Sequence, residues 1–146
     1  MRKVQVKKVK SKTDLKKALA IRLRVFVREQ RVPREIELDC DDETAMHLLA
    51  CVNAKAVGTA RVVVKGRAAK VGRMAVLKSC RGRGIGGELL NRALKLAKMR
   101  GANQIYLHAQ VSVISFYKKF GFRPRGRVFM EAGIPHRKMI FNRMAK

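Results

Sequence analysis

Residues 81–87 of this chain read Arg81-Gly82-Arg83-Gly84-Ile85-Gly86-Gly87, which combines the two properties an anion cradle needs. Glycines let the backbone turn sharply and come close to a phosphate, and the arginines bring positive charge. The run falls between an apolar strand-like stretch, Met74-Ala75-Val76-Leu77, and a helix-like stretch from Glu88 to Met99. At the start of such a helix, unpaired N–H groups and the positive end of the dipole attract an anion. Strand, glycine turn and helix in that order suit a ligand that carries a diphosphate.

A second set of residues has the opposite sign. Glu35, Glu37, Asp39, Asp41, Asp42 and Glu43 fall within nine residues that hold no Lys or Arg, and beyond them only Glu88 and Glu131 are acidic. In a chain with 35 Lys and Arg against 10 Asp and Glu, so compact an acidic island is expected to face something cationic. That is either an incoming amine or neighbouring arginines. An amine nucleophile is ammonium at neutral pH and must lose a proton before it attacks. Glu29, Glu35, Glu37, Asp39, Glu131 and His136 are the candidates for holding or deprotonating it. A histidine titrates in the right range for that task, though a hydrogen-bonded structural role fits His136 equally well. His47 and His108 lie in apolar strand-like runs and read as core or sheet-edge residues.

The elements that must position these groups follow from periodicity. Val4, Val6 and Val9 between lysines mark a first strand, and Ser11 or Thr13 can cap a helix carrying Asp14 in its first turn. Leu15, Leu19, Leu23 and Phe26 then give a buried stripe at helical spacing, and Pro33 ends the helix. The acidic segment is expected to be a loop or a short irregular helix. Residues 46–52 and 56–64 form a hairpin across Asn53-Ala54-Lys55, and 68–77 a further strand. Leu89, Leu90, Ala93, Leu94, Leu96 and Ala97 define an amphipathic helix stopped at Gly101. A strand at 104–109, a short helix at 112–120 and strands at 122–131 and 137–143 complete the chain.

Length and composition set the outer limits. A chain of 146 residues, 47% hydrophobic, is one α/β domain spanning residues 1–146 and large enough to bury a core. No apolar run approaches the roughly 20 residues of a membrane span, and no apolar segment follows the basic N-terminus as a secretory signal would require. Cys40, Cys51 and Cys80 form no Cys-x-x-Cys pair and read as reduced thiols, with no disulfide framework and no metal site. A cytoplasmic protein without a membrane partner is expected. The net charge of +25 attracts polyanions, so nucleic acid is a partner on charge alone; the plainer reading is a solvated basic surface.

Gly82-x-Gly84-x-x-Gly87 formally satisfies a dinucleotide fingerprint, but that motif belongs to a first strand–helix turn with an acid about 20 residues on. Here several strands precede it, and residues 98–110 contain no acid. No Gly-Lys-Ser/Thr follows either, so a Walker A loop is excluded. With its flanks the turn is more specific. Arg81-x-x-Gly84-x-Gly86 after a strand, followed by a helix, a strand and Phe116-Tyr117-Lys-Lys-Phe120-Gly121-Phe122, resembles the GNAT N-acetyltransferase superfamily. Ile21-Arg-x-x-Val25-Phe-Val-x-Glu29-Gln-x-Val-Pro33, Gly58-Thr-Ala-Arg61, Gly72-Arg-Met-Ala-Val-Leu77 and Glu131-x-Gly-Ile-Pro-His136 are similar to its YjcF-like and ElaA-like bacterial branch.

The resemblance implies a GNAT fold, with a mixed central sheet of about six to seven strands flanked by about four helices. It implies acetyl-CoA as cosubstrate, with no metal, and direct transfer to an amine in a ternary complex. Backbone groups of Met74, Ala75 and Val76 would pair with the pantetheine arm, and one amide there would polarise the thioester carbonyl. Arg81, Gly82, Arg83, Gly84, Ile85, Gly86 and Gly87 would wrap the pyrophosphate. Gln110 stands where many members carry Asn, and Tyr117 matches the tyrosine that protonates the leaving thiolate. Glu35, Glu37 and His136 are then candidate bases, and Glu29, Asp39 and Glu131 candidate acceptor contacts, for a small cationic amine. Two other readings remain: an acetyltransferase drawn to nucleic acid or ribosomes by its charge, and a non-catalytic acyl-CoA-binding module. Homodimers are common in the superfamily.

Overall fold

A computed structural model describes residues 3–142. Strand β1 (Val4–Lys8) leads into helix α1 (Lys12–Arg22), whose cap Ser11 accepts a hydrogen bond from the Asp14 N–H at 3.1 Å. The helix continues as a π-helical segment, Leu23–Glu29, in which the Gln30 N–H donates to Val25 O at 3.0 Å. A short helix α2 (Arg34–Glu37) and a 3₁₀ turn (Cys40–Glu43) carry the acidic island. Strands β2 (Met46–Val52) and β3 (Lys55–Lys65) form the expected hairpin, with Asn53 and Ala54 both at positive φ in its turn. Then come β4 (Ala68–Val76), α3 (Ile85–Met99), β5 (Gln104–Gln110), α4 (Ile114–Lys118), β6 (Phe122–Glu131) and β7 (Ile134–Phe141).

The strands make one mixed sheet in the order β1-β2-β3-β4-β5-β7-β6, in which only β4 and β5 run parallel. Helix α3 buries Leu89, Leu90, Ala93 and Ala97 against Leu48, Val62, Val71 and Leu107 on one face of the sheet. On the other face α1 packs Ala18 and Ile21, with Val25 of the π segment, against Leu49 and Ala75. Among the described residues no helix is long and apolar enough to cross a membrane.

The stripe expected on α1 is displaced. Leu15, Leu19, Leu23 and Phe26 are only half-buried, and the buried positions are Ala18, Ile21, Arg22 and Val25. Arg22 occupies a core position, with 0% of its surface exposed, because carboxylates from the acidic island neutralise it there. From Leu23 onward the π winding also changes the residue spacing that faces the sheet.

Candidate active site

The site begins where the sheet comes apart. Pairing of β4 with β5 runs from Ala68↔Gln104 to Val71↔Leu107 and then stops, although both strands continue. On its other edge β4 stays paired with β3 as far as Val76↔Gly58, across a bulge at which Arg73 takes φ +49°. The backbone of Gly72–Val76 therefore flanks a wedge-shaped gap opposite His108–Gln110. Around that gap lies a cleft of about 950 Å³.

One end of the cleft is the glycine turn. Met74, Ala75, Val76, Arg81, Gly82, Gly84, Ile85, Gly86, Gly87, Gln110 and Tyr117 all line it, whereas Arg83 is exposed in the same turn outside the lining. Gly84 is the N-cap of α3 with φ +80°, and no side chain caps the helix start, so its first N–H groups are left for an anion. A Cβ on Gly87 would lie 2.8 Å from Phe120 Cζ, so the glycine lets α3 seat directly on that ring. This open, uncapped start of a 15-residue helix fits a diphosphate. Gln110 Nε2 donates to Gln30 Oε1 at 2.9 Å, which fixes its amide beside the gap. Half-buried Tyr117 stacks edge-on to Phe116, and burial pushes its phenol up to about 12. It therefore keeps its proton at neutral pH.

The acidic island is largely spoken for. Arg22 donates from Nε to Glu37 Oε2 at 2.8 Å and from Nη1 to Asp42 Oδ1 at 2.7 Å. Arg61 Nη1 donates to Asp39 Oδ1 at 2.6 Å and to Asp42 Oδ1 at 3.0 Å, and Arg73 Nη2 reaches Asp39 Oδ2 at 3.1 Å. Of the two readings, neighbouring arginines are what these carboxylates face. Glu37 is buried, and burial pushes its carboxyl up despite Arg22 and Arg73; for Asp39 burial is outweighed by Arg61, and its carboxyl is held down. Glu35 is exposed on α2 outside the cleft lining, and Glu29 is engaged by Arg81, likewise outside it. His47 is buried, with its Nε2 3.0 Å from Asp42 O.

The cleft's other end gathers residues from four strands on the sheet face opposite α3. His108 Nδ1 lies 2.9 Å from Glu131 Oε1. The His108 bond, working against burial, holds the Glu131 carboxyl down to about 2. An ionised carboxylate only accepts, so Nδ1 is the donor of that bond, and Nε2 is the ring nitrogen that Glu131 does not engage. His136 donates from Nδ1 to Ile134 O at 2.7 Å, and its Nε2 lies 3.7 Å from Glu131 Oε2. Phe129 stacks on His136 and meets His108 edge-on. Lys70 completes this end. The reading of His108 as a core or sheet-edge residue therefore changes: it is half-buried and lines the cleft. Neither it nor Lys70 had a sequence signal, since their partners lie on other strands.

These features have counterparts in known proteins. The sequence signature described as "Acetyltransferase (GNAT) domain" matches residues 8–142. The uncharacterized N-acetyltransferase YjcF of Bacillus subtilis is 39% identical over 132 residues, covering 90% of this chain and 94% of YjcF. The crystal structure of Escherichia coli ElaA superposes with a TM-score of 0.84 at 30% identity, covering 97% of this chain and 100% of ElaA. An acyl-CoA N-acyltransferase from Pseudomonas aeruginosa gives the same TM-score at 27% identity, with 97% and 100% covered. A signature running almost from end to end, with relatives of this identity and coverage, leaves one assignment: the chain belongs to the GNAT family of acyl-CoA-dependent N-acyltransferases.

Proposed function

We propose that this protein moves the acetyl group of acetyl-CoA directly to the amine of a small molecule while both are bound. The observation that carries this reading is the continuity of one cleft from the uncapped start of α3, through the β4–β5 gap, to the His108–Glu131 pair. The glycine turn would hold the pyrophosphate, and the backbone of Met74, Ala75 and Val76 the pantetheine arm. When bound, acetyl-CoA supplies an activated acetyl group whose C–S bond breaks as the new C–N bond forms.

The remaining work falls to side chains of this chain. Glu131 orients His108, whose free Nε2 accepts the proton that the attacking amine gives up. Tyr117 holds a phenolic proton to give to the departing sulfur. Glu131 also favours arrival of the amine as ammonium. Isothermal calorimetry with acetyl-CoA tests the reading directly. Binding by the intact protein and its loss in Gly84→Glu are expected, and failure of the intact protein to bind acetyl-CoA would sink it.

We also propose association with nucleic acid through charge. Asp14, Glu29, Glu37, Asp39, Asp41, Asp42 and Glu131 all have basic partners within the fold. The charge presented to solvent is therefore overwhelmingly positive. Salt-dependent retention on a heparin column tests this.

A further inference from the structure

Among the described residues Lys70 has no ion-pair partner, although it sits half-buried in the acceptor end of the cleft. It stands on β4 in register with Tyr106 of β5, and alternation puts its side chain on the same sheet face as His108, two residues further along. Its Cα is thus about 8 Å from that of His108 on the neighbouring strand. The other cations there are already matched: Arg22, Arg61 and Arg73 share Glu37, Asp39 and Asp42. Lys70 feels the Glu131 charge at longer range, but burial dominates and lowers its affinity for a proton. A half-buried ammonium in that position is stabilised by an anion brought in from outside.

We propose that the acceptor is an amino acid, whose carboxylate is held by Lys70 while its amine is presented to His108 and Glu131. This rests on the acetyltransferase reading of the same cleft. The charges argue for a single carboxylate. The arginine–carboxylate group is balanced three against three, so Lys70 supplies one uncommitted positive charge where a phosphate would call for more. Glu131 supplies the negative charge that an ammonium needs, on the adjoining part of the same face. A polyamine would place a cation against Lys70, at a cost in repulsion. The expected acceptor is therefore a zwitterion short enough to span two adjacent strands.

The test uses the full chain, acetyl-CoA and a panel of the common amino acids, each paired with its carboxyl methyl ester, with spermidine and glucosamine as comparisons. Release of free CoA thiol is followed. At least one amino acid is expected to be acetylated with kcat/KM about tenfold or more above that of its ester, the loss expected for one charge-assisted hydrogen bond. Lys70→Met should raise KM for that amino acid about tenfold and bring the acid-to-ester ratio near one, while Lys70→Arg retains the preference. The acetyl-CoA Kd of both variants, measured by calorimetry, should match the parent. An enzyme that binds acetyl-CoA but acetylates no amino acid, or treats acid and ester alike, overturns the proposal. So does a Lys70→Met variant with an unchanged ratio. Failure to bind acetyl-CoA at all instead overturns the cofactor reading, and this inference with it.

Discussion

The Arg81 guanidinium is gripped by the Glu29 carboxylate through two parallel bonds, Nη1 to Oε2 at 2.7 Å and Nη2 to Oε1 at 2.8 Å. Its Nε donates to Val76 O at 2.9 Å. Glu29 ends the π segment, so this fork ties the first helix to the glycine turn across 52 positions of sequence. A guanidinium has more N–H donors than these bonds use, so Arg81 is oriented while keeping donors for a phosphate. Glu29, however, also brings a negative charge close to where the pyrophosphate would lie. Glu29→Gln should therefore tighten acetyl-CoA binding by about twofold to fivefold at low salt, the range of an exposed ion pair, with the gain shrinking as salt screens it. Calorimetry at two salt concentrations checks the sign.

Tyr117 is expected to act late in the reaction. Tyr117→Phe keeps the ring contacts with Phe116 and Phe122 and removes only the proton. It should lower kcat by about 10²-fold with little change in the acetyl-CoA Kd. A full-rate variant removes the tyrosine from the mechanism.

His108→Gln and Glu131→Gln separate the base from its positioning residue. With an acceptor from the amino-acid panel, the first should cost about 10² to 10⁴ in kcat. The second leaves Nε2 in place but unfixes the tautomer, so a smaller loss is expected. Equal rates in parent and His108→Gln would exclude the imidazole as base.

Arg22 is completely buried between Glu37 and Asp42. Arg22→Met strands a buried carboxylate and should cost about 3 kcal/mol, lowering Tm by about 10 °C in a domain of this size. Arg22→Met/Glu37→Gln should recover part of that loss in a thermal melt, because the stranded charge is gone.

Acid should loosen the same region. Burial raises the Asp42 carboxyl, but Arg22 and Arg61 outweigh it and hold it at about 2 against an ordinary 3.8. Glu131 is likewise held at about 2 against 4.5, chiefly by His108. A carboxyl depressed in the folded state stabilises above its unfolded value and loses that contribution as pH falls through the folded one. Stability should thus decline between about pH 4.5 and 2, partly offset by Glu37, whose shift has the opposite sign. Asp42→Asn should remove on the order of 2 kcal/mol of this pH dependence, measurable by urea unfolding across the range.

If the basic surface engages nucleic acid, retention on heparin should persist at physiological salt and fall steeply above it. Elution below physiological salt would leave the charge without a partner of this kind.

The glycine-turn end of the cleft was legible in the sequence because its geometry is local. One glycine run between a strand and a helix carries it, and Gly84 and Gly87 stand where a cap and a close ring contact require them. The hairpin at Asn53-Ala54 and the strand positions were legible for the same reason. The other end of the cleft depends on a non-local fact, the order β4-β5-β7-β6, which brings Lys70, His108, His136 and Glu131 together from separate strands. Nothing near His108 in sequence distinguishes it from a sheet residue. Arg22 escaped a periodicity argument because arginine enters a core only with counter-charges, and these come from 15 and 20 residues away.

The parting of β4 from β5 has a consequence for the mechanics of the whole domain. Four residue pairs, Ala68–Val71 with Gln104–Leu107, stitch the N-terminal half-sheet to the C-terminal one. A pantetheine arm lying in the gap would act as a missing strand and lengthen that seam. The cosubstrate would then be a fastener as well as a reagent, and amides along Gly72–Val76 and His108–Gln110 should exchange with solvent most slowly when it is bound. The same seam is the natural place to cut the chain in two and ask whether acetyl-CoA helps the halves reassemble.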